Sequence, residues 1–121
     1  DNVSLQAREN QARLIVENTQ AYPADYPQIL TGDMNEDATY KGIQTFKAGG
    51  WVDTYNVIHK TESPGNTFHG FEGPNHKAQM DKIDWIFTRG KIKTLGTEII
   101  KDTKNRKYAS DHYFISATVE L

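Results

Sequence analysis

A carboxylate and an amide stand one residue apart at the end of a short apolar run. Residues 29–32 read Ile-Leu-Thr-Gly and lead into Asp33 and Asn35. The two apolar residues and the glycine predict a short buried strand that ends near Asp33. Ligands of open α/β sheets gather at the carboxyl ends of strands, so we expect both polar side chains to face a cleft. The alternative is an ordinary turn in which Asp33 bonds its own backbone.

The same residues begin a D-x-N-x-D pattern that is typical of a calcium loop. The sixth position of such a loop should be Gly and is Ala38, and the twelfth should be Glu and is Gln44. We therefore reject an EF-hand and keep the cleft and the turn as the two interpretations.

An imidazole and a buried carboxylate form the second candidate group. Ser110, Asp111 and His112 precede the last predicted strand. Neighbours on an extended chain point to opposite sides, so Asp111 and His112 need not touch. Asp84 stands inside the apolar run 83–87, where a carboxylate requires a partner. We expect Asp84 to pair with His112 and to favour the charged imidazole. A structural pair without catalysis is the alternative.

Two further residues are candidate substrate contacts. Arg106 belongs to a basic loop at residues 101–107, which could meet a phosphate-rich substrate or form a solvated hairpin tip. His69, between Phe68 and Gly70, could line the cleft, whereas His76 is interpreted as a loop residue. Gly-x-Ser-x-Gly, cysteine and the Walker glycine loop are absent from the sequence, which argues against nucleophilic catalysis and P-loop chemistry.

Composition sets bounds on the class of protein. The 121 residues suffice for one domain, with 36% hydrophobic and 25% charged residues. A net charge of −2 argues against a strong, general nucleic-acid binder. Without cysteine, disulfides and thiolate metal sites are excluded. No apolar run approaches the roughly 18 residues that a membrane span needs.

The remaining pattern predicts helices early and strands late, which is typical of an α/β fold. We expect a helix over 4–19 and a second, short one between Asp37 and Gly49, with Asp37 as its cap. Strands are expected at 67–69, 81–88, 91–100 and 114–121, besides the strand that ends near Asp33.

Three separated segments together resemble the C-terminal half of the endonuclease/exonuclease/phosphatase superfamily. They are Leu-Thr-Gly-Asp-Met-Asn at 30–35, Lys-Ile-Asp-Trp-Ile-Phe at 82–87 and Ser-Asp-His at 110–112. The superfamily includes apurinic endonucleases, deoxyribonucleases, sphingomyelinases, deadenylases and inositol polyphosphate 5-phosphatases. Residues 67–71, Thr-Phe-His-Gly-Phe, are also similar to a segment of bacterial members, and residues 1–11 to the segment that opens the family's mid-domain helix.

The resemblance implies metal-dependent hydrolysis of a phosphate ester. By analogy, Asp33 orients or deprotonates the attacking water and Asn35 donates to a phosphoryl oxygen. Asp111 lies by Mg²⁺, or alternatively Mn²⁺, directly or through water. His112, held by Asp84, stabilises the charge of the transition state. These roles suit phosphoryl transfer, which depends mostly on positioning and charge neutralisation.

The resemblance also implies that residues 1–121 are only the C-terminal half of the domain. The fold expected is α/β, half of a four-layer α/β sandwich, with a mixed or antiparallel sheet covered by helices on one face. The main metal ligand, a glutamate, is then expected upstream, and the partner is the missing N-terminal half. We expect the chain alone to be inactive. The alternative function is a non-catalytic binding module on the same scaffold, which a start codon at this boundary would favour.

Overall fold

The structure is a computed structural model that describes residues 2–121. Asp1, the first residue of the opening segment compared above, lies outside the described residues. The elements in chain order are α1 (Asn2–Thr19), β1 (Gln28–Asp33), α2 (Lys41–Ala48), β2 (Val52–Asp53), α3 (Thr54–His59), a 3-10 turn (Gly73–Asn75), β3 (Asp84–Arg89), β4 (Lys93–Ile100) and β5 (Phe114–Glu120).

Two antiparallel sheets make up the β layer. β3 lies between β1 and β2 in a three-stranded sheet, and β4 pairs with β5 in a two-stranded sheet. β5 also contacts β3, so the two sheets lie side by side. The β1–β3 register places Gln28 opposite Arg89 and Asp33 opposite Asp84. Every strand pairing among the described residues is antiparallel. Of the two predicted alternatives, a mixed or an antiparallel sheet, the structure therefore has the antiparallel one.

The helices α1 and α2 pack together on one face of the β1–β3–β2 sheet. Trp85 and Phe87 of β3 are fully buried there, with their rings stacked at 5.2 Å. They meet Ala12 of α1 and Phe46 of α2 in one hydrophobic cluster. Side chains alternate along a strand, so Asp84 and Ile86 lie on the opposite face. This core therefore leaves Asp84 on the face away from the helices.

Local bounds differ from the sequence prediction at several points. The segment 67–69 is not a strand; Phe68 makes only an isolated bridge with His112. Asp37 does not cap α2, whose N-cap position is Tyr40; the Asp37 carboxylate instead accepts hydrogen bonds from the backbone of Thr39 and Asp81.

Two short elements were not predicted at all. β2 has two residues and pairs with β3, and α3 has six residues and begins at an Asp53 cap that accepts from the Tyr55 N–H at 3.0 Å. The predicted α/β class and the long helix over 4–19 are confirmed. Within residues 2–121, none of the helices combines the length and the apolar character that crossing a bilayer requires.

Candidate active site

Two carboxylates face each other across neighbouring strands at the edge of the sheet. Asp33 is the last residue of β1 and Asp84 is the first residue of β3, and they are direct partners in the antiparallel register. Residues directly opposite in an antiparallel pair point to the same face. Both therefore lie on the face opposite the helices, which we call the open face. It carries Ile29, Asp33, Asp84 and Ile86.

His112 joins this pair from the segment before β5. Its Nδ1 lies 2.8 Å from Oδ2 of Asp84, and its Nε2 lies 3.7 Å from Oδ2 of Asp33. The predicted pairing of His112 with Asp84 is therefore present. Partial burial of the ring by itself would lower the pKa of His112. The hydrogen bond and charge of Asp84, with the charges of Asp33 and Asp111, outweigh burial and raise that pKa above its usual value.

At the turn after β1, Asp33 both bonds its own backbone and faces the site, so both interpretations of this segment apply. Oδ1 of Asp33 accepts from the backbone N–H of Asn35 at 2.9 Å, while Oδ2 faces His112. Asn35 has a φ of 53° and an exposed side chain. Asn tolerates this left-handed conformation better than most residues. The turn thus fixes one oxygen of Asp33, leaves the other directed at the imidazole, and presents the Asn35 amide to solvent beside them.

Asp111 acts through its backbone as well as its charge. Its carbonyl accepts from the N–H groups of His69 at 2.8 Å and Gly70 at 3.1 Å. Its carboxylate contributes to the raised pKa of His112. Among the described residues, the acidic and histidine side chains close enough to share one cation are Asp33, Asp84 and His112, and Asp111 is not in that group. Its predicted place beside a metal stays a prediction.

Residues 67 and 68, to which the sequence analysis gave no role, hold the site together. The buried Thr67 Oγ1 accepts from the backbone N–H of Ile83 at 3.1 Å and of Asp84 at 3.3 Å, which fixes the start of β3. Phe68 pairs with His112 through the isolated bridge, and its ring meets the imidazole edge-on at 5.3 Å. The one signal in the sequence was the similarity of residues 67–71 to a segment of bacterial family members, which assigned no role to Thr67 or Phe68.

His69 does not reach the surface. Its ring is fully buried, stacked on Tyr113 at 4.3 Å and tilted against Tyr108 at 4.4 Å. Its Nδ1 accepts from the Gly73 N–H at 3.3 Å. A substrate could contact this ring only after the tyrosines moved. The structure therefore places His69 behind the site, where it packs two loops together, rather than in the cleft that the sequence analysis assigned to it.

Arg106 lies at an exposed turn. Although it precedes His112 by only six residues, its side chain is not among those that line the cavities next to His112. Its neighbours Lys104 and Lys107 do line a cavity of about 590 Å³, to which His112 also contributes. The basic loop is therefore connected to the site, but through the two lysines rather than through Arg106.

A buried ion pair packs against the start of β3. Lys82 Nζ lies 3.5 Å from Oδ1 of Asp53 and 3.0 Å from the ring centre of Trp85. Burial lowers the pKa of Lys82 to about 8, although the Asp53 charge opposes this shift. Burial raises the pKa of Asp53 despite Lys82. No sequence pattern links these residues, so the pair was not predicted.

The donor set suits a hard cation better than a soft one. The carboxylate oxygens of Asp33 and Asp84 and a ring nitrogen of His112 lie within 4.8 Å of one another. The Asp84–His112 hydrogen bond engages Nδ1 and one carboxylate oxygen. Because the pKa of His112 is raised, its Nε2 keeps a proton over a wider pH range than in an ordinary histidine and then has no lone pair for a metal. What the group then offers is oxygen, which Mg²⁺ and Mn²⁺ prefer. These oxygens fit a partial, solvent-rich coordination sphere, because Mg²⁺ retains several waters.

A comparison with protein-family models matches one family. The model of the endonuclease/exonuclease/phosphatase family matches residues 2–112. No curated protein matches the chain significantly. Among solved structures, a mannosyl-6-phosphatase of Bacteroides thetaiotaomicron is similar, with a TM-score of 0.75 and 24% identity over 96% of this chain and 46% of its own.

Two more solved structures share the fold. A family member from Bacteroides thetaiotaomicron has a TM-score of 0.75 and 25% identity, and covers 98% of this chain and 45% of its own. D. rerio TDP2, complexed with a single-strand DNA product, has a TM-score of 0.72 and 20% identity. The match covers 97% of this chain and 51% of the TDP2 chain. The chain thus spans about half the length of the structures that it resembles.

Proposed function

The chain belongs to the endonuclease/exonuclease/phosphatase family, and we propose that it carries the C-terminal half of the active site of a Mg²⁺-dependent phosphoesterase. The observation that supports this most directly is the His112–Asp84 pair facing Asp33 on the open face. Family members hydrolyse phosphate esters and generally depend on a divalent metal. The roles below are our assignment for this chain.

His112 is the group that meets developing negative charge. Asp84 holds its Nδ1, which directs Nε2 towards the open face. The raised pKa keeps the imidazole positively charged over a wider pH range than an unpaired histidine. A fixed cation aimed at a phosphoryl oxygen stabilises the transition state more than the ground state, because charge on that oxygen grows during the reaction.

Asp33 and Asn35 act on the attacking water and on a phosphoryl oxygen beside His112. The Oδ2 atom of Asp33 faces the cavity and can orient a water or accept its proton, while Oδ1 is held by the backbone of Asn35. The exposed Asn35 amide can donate to a phosphoryl oxygen without first breaking a buried contact. The cavity of about 390 Å³ lined by Asp33, Asp84 and His112 is large enough for a phosphate group and part of its ester.

A divalent cation, when bound, neutralises phosphate charge and lowers the pKa of a bound water. Within this chain we assign its holding to the oxygens of Asp33 and to Asp111, directly or through water. By analogy with the family, we place the main carboxylate ligand, a glutamate, upstream of the chain. Mn²⁺, with similar ligand preference, is the alternative ion.

Exposed apolar side chains near the open face favour packing of another half of the domain there. Ile29 on this face is 53% exposed, and Phe114 of β5, which lines the same cavity as Asp33 and His112, is 52% exposed. Large exposed apolar side chains beside a functional site are typical of a surface that another unit covers. We propose that the N-terminal half of the same domain packs there and that the chain alone is inactive. The net charge of −2 favours small phosphate esters over nucleic acid as substrates.

The test is hydrolysis of p-nitrophenyl phosphate and bis-p-nitrophenyl phosphate by the intact protein, with and without Mg²⁺. We expect His112→Ala and Asp33→Ala each to lower kcat/KM at least about 100-fold. His59→Ala is the matched control, since His59 is an exposed histidine on α3 that bonds the Thr97 carbonyl. Unchanged turnover in His112→Ala, or equal loss in the control, would contradict the proposal.

A further inference from the structure

The basic loop at residues 101–107, which we call the cationic loop, is a rigid hairpin tip rather than a mobile connection. Lys104 and Lys107 exchange two backbone hydrogen bonds, both of 3.0 Å. Between them, Asn105 and Arg106 have φ values of 53° and 61°. Positive φ at both central residues is typical of a type I′ hairpin turn. Arg seldom adopts this conformation, and such strain often marks a functional segment.

The base of the cationic loop is fixed against the site. Tyr108 packs its ring on His69, and its side chain fills the space beside Gly73 where a Cβ would stand. The His69 backbone is in turn bonded to the Asp111 carbonyl. The loop therefore keeps its position relative to the segment that carries His112, without rearrangement when a ligand arrives.

One cavity connects the cationic loop to the site. Lys104 and Lys107 line it together with Ser110 and His112, and its volume is about 590 Å³. Small-ligand sites commonly fall within roughly 300–1,000 Å³. Asp102 also lines the cavity and is the one acidic residue in the loop, against four basic ones. The loop is thus strongly positive in a chain whose net charge is −2.

We infer that Lys104 and Lys107 bind a second anionic group of the substrate while its scissile phosphate lies at His112. This inference rests on the proposed function and names its substrate class: small phosphate esters that carry a second phosphate. A nucleic-acid strand is less suited, because it needs a basic track longer than one hairpin tip.

The experiment compares glucose 1,6-bisphosphate with glucose 6-phosphate on the intact protein. The double variant Lys104→Gln/Lys107→Gln should raise KM for the bisphosphate about tenfold and change KM for the monophosphate less than about twofold. Lys93→Gln is the matched control, since this exposed lysine pairs with Glu120 at the far end of the same two strands. Lys104→Arg/Lys107→Arg keeps the charge and should keep the preference.

Calorimetric binding of both sugars separates this inference from the proposed function. If the bisphosphate binds more tightly than the monophosphate and the double Gln variant removes that difference, binding of the second phosphate by the two lysines is supported, and if neither the sugars nor the p-nitrophenyl esters are hydrolysed, the proposed function alone fails. If hydrolysis occurs but the variant affects both sugars equally or neither, the inference fails alone. It also fails if the variant weakens binding of a short single-stranded oligonucleotide and leaves bisphosphate binding unchanged.

Discussion

The His112–Asp84 pair should contribute pH-dependent stability. The two side chains are 24% and 14% exposed, so solvent screens their 2.8 Å contact only partly. A hydrogen bond to a charged group is worth about 1.5–3 kcal/mol, and below the folded pKa of His112 the two partners carry opposite charges. Above that pKa the neutral imidazole still donates to the Asp84 carboxylate, but the attraction between opposite charges is lost. Because the folded-state pKa of His112 is raised, this extra stability is fully present below the unfolded pKa of about 6.5 and is lost as pH rises through the folded value.

The assay is a double-mutant cycle of Asp84→Asn and His112→Gln, followed by urea unfolding at several pH values. We expect a coupling free energy of about 2 kcal/mol near pH 5.5 and a smaller one above the folded pKa, where the positive charge of the imidazole is lost. A control cycle of Glu120→Gln with His112→Gln should give no coupling, because Glu120 lies at the opposite end of β5.

Nuclear magnetic resonance of the imidazole tests the same reasoning independently. Asp84→Asn should lower the pKa of His112, since the hydrogen bond and charge of Asp84 are what overcome burial of the ring. If the coupling free energy does not change with pH and the pKa of His112 is unaltered in Asp84→Asn, the charge of Asp84 does not stabilise the charged imidazole and the prediction is wrong.

Three other substitutions test the support of β3 and its loops, each by urea unfolding. Lys82→Met leaves the Asp53 carboxylate buried without the lysine, and we expect the free energy of unfolding to fall by about 3–5 kcal/mol. An unchanged free energy of unfolding would contradict the pairing of these two charges. Trp85→Phe removes the indole donor to the Glu36 carbonyl and should cost about 1–3 kcal/mol. Gly73→Ala should cost about 1–3 kcal/mol, because its φ is 56° and a tyrosine occupies the Cβ position.

Periodic elements could be predicted from the sequence, and short ones could not. α1, β3 and β5 carry enough alternating or helically spaced residues to identify their type. β2 has two residues, too few for any period, and α3 has six. A helix-start signal was nevertheless present, because Asp53 is a favourable N-cap residue immediately before α3.

The site divides along similar lines. The pairing of His112 with Asp84 was predictable, because a carboxylate in an apolar strand must find a partner. The burial of His69 was not, because it depends on Tyr108 and Tyr113 stacking around the ring from a distant segment. The Lys82–Asp53 pair likewise forms only when distant segments pack together, and no local sequence pattern indicates it.

The direct opposition of Asp33 and Asp84 restricts how this protein can evolve. Inserting or deleting one residue in β1 would rotate Asp33 towards the tryptophan and phenylalanine beneath the helices, since side chains alternate along a strand. Changes of chain length are therefore tolerated between strands and not within them. The hairpin tip at Asn105, outside the sheet, is where lineages could lengthen or shorten the chain and acquire new substrates while the paired carboxylates stay in place.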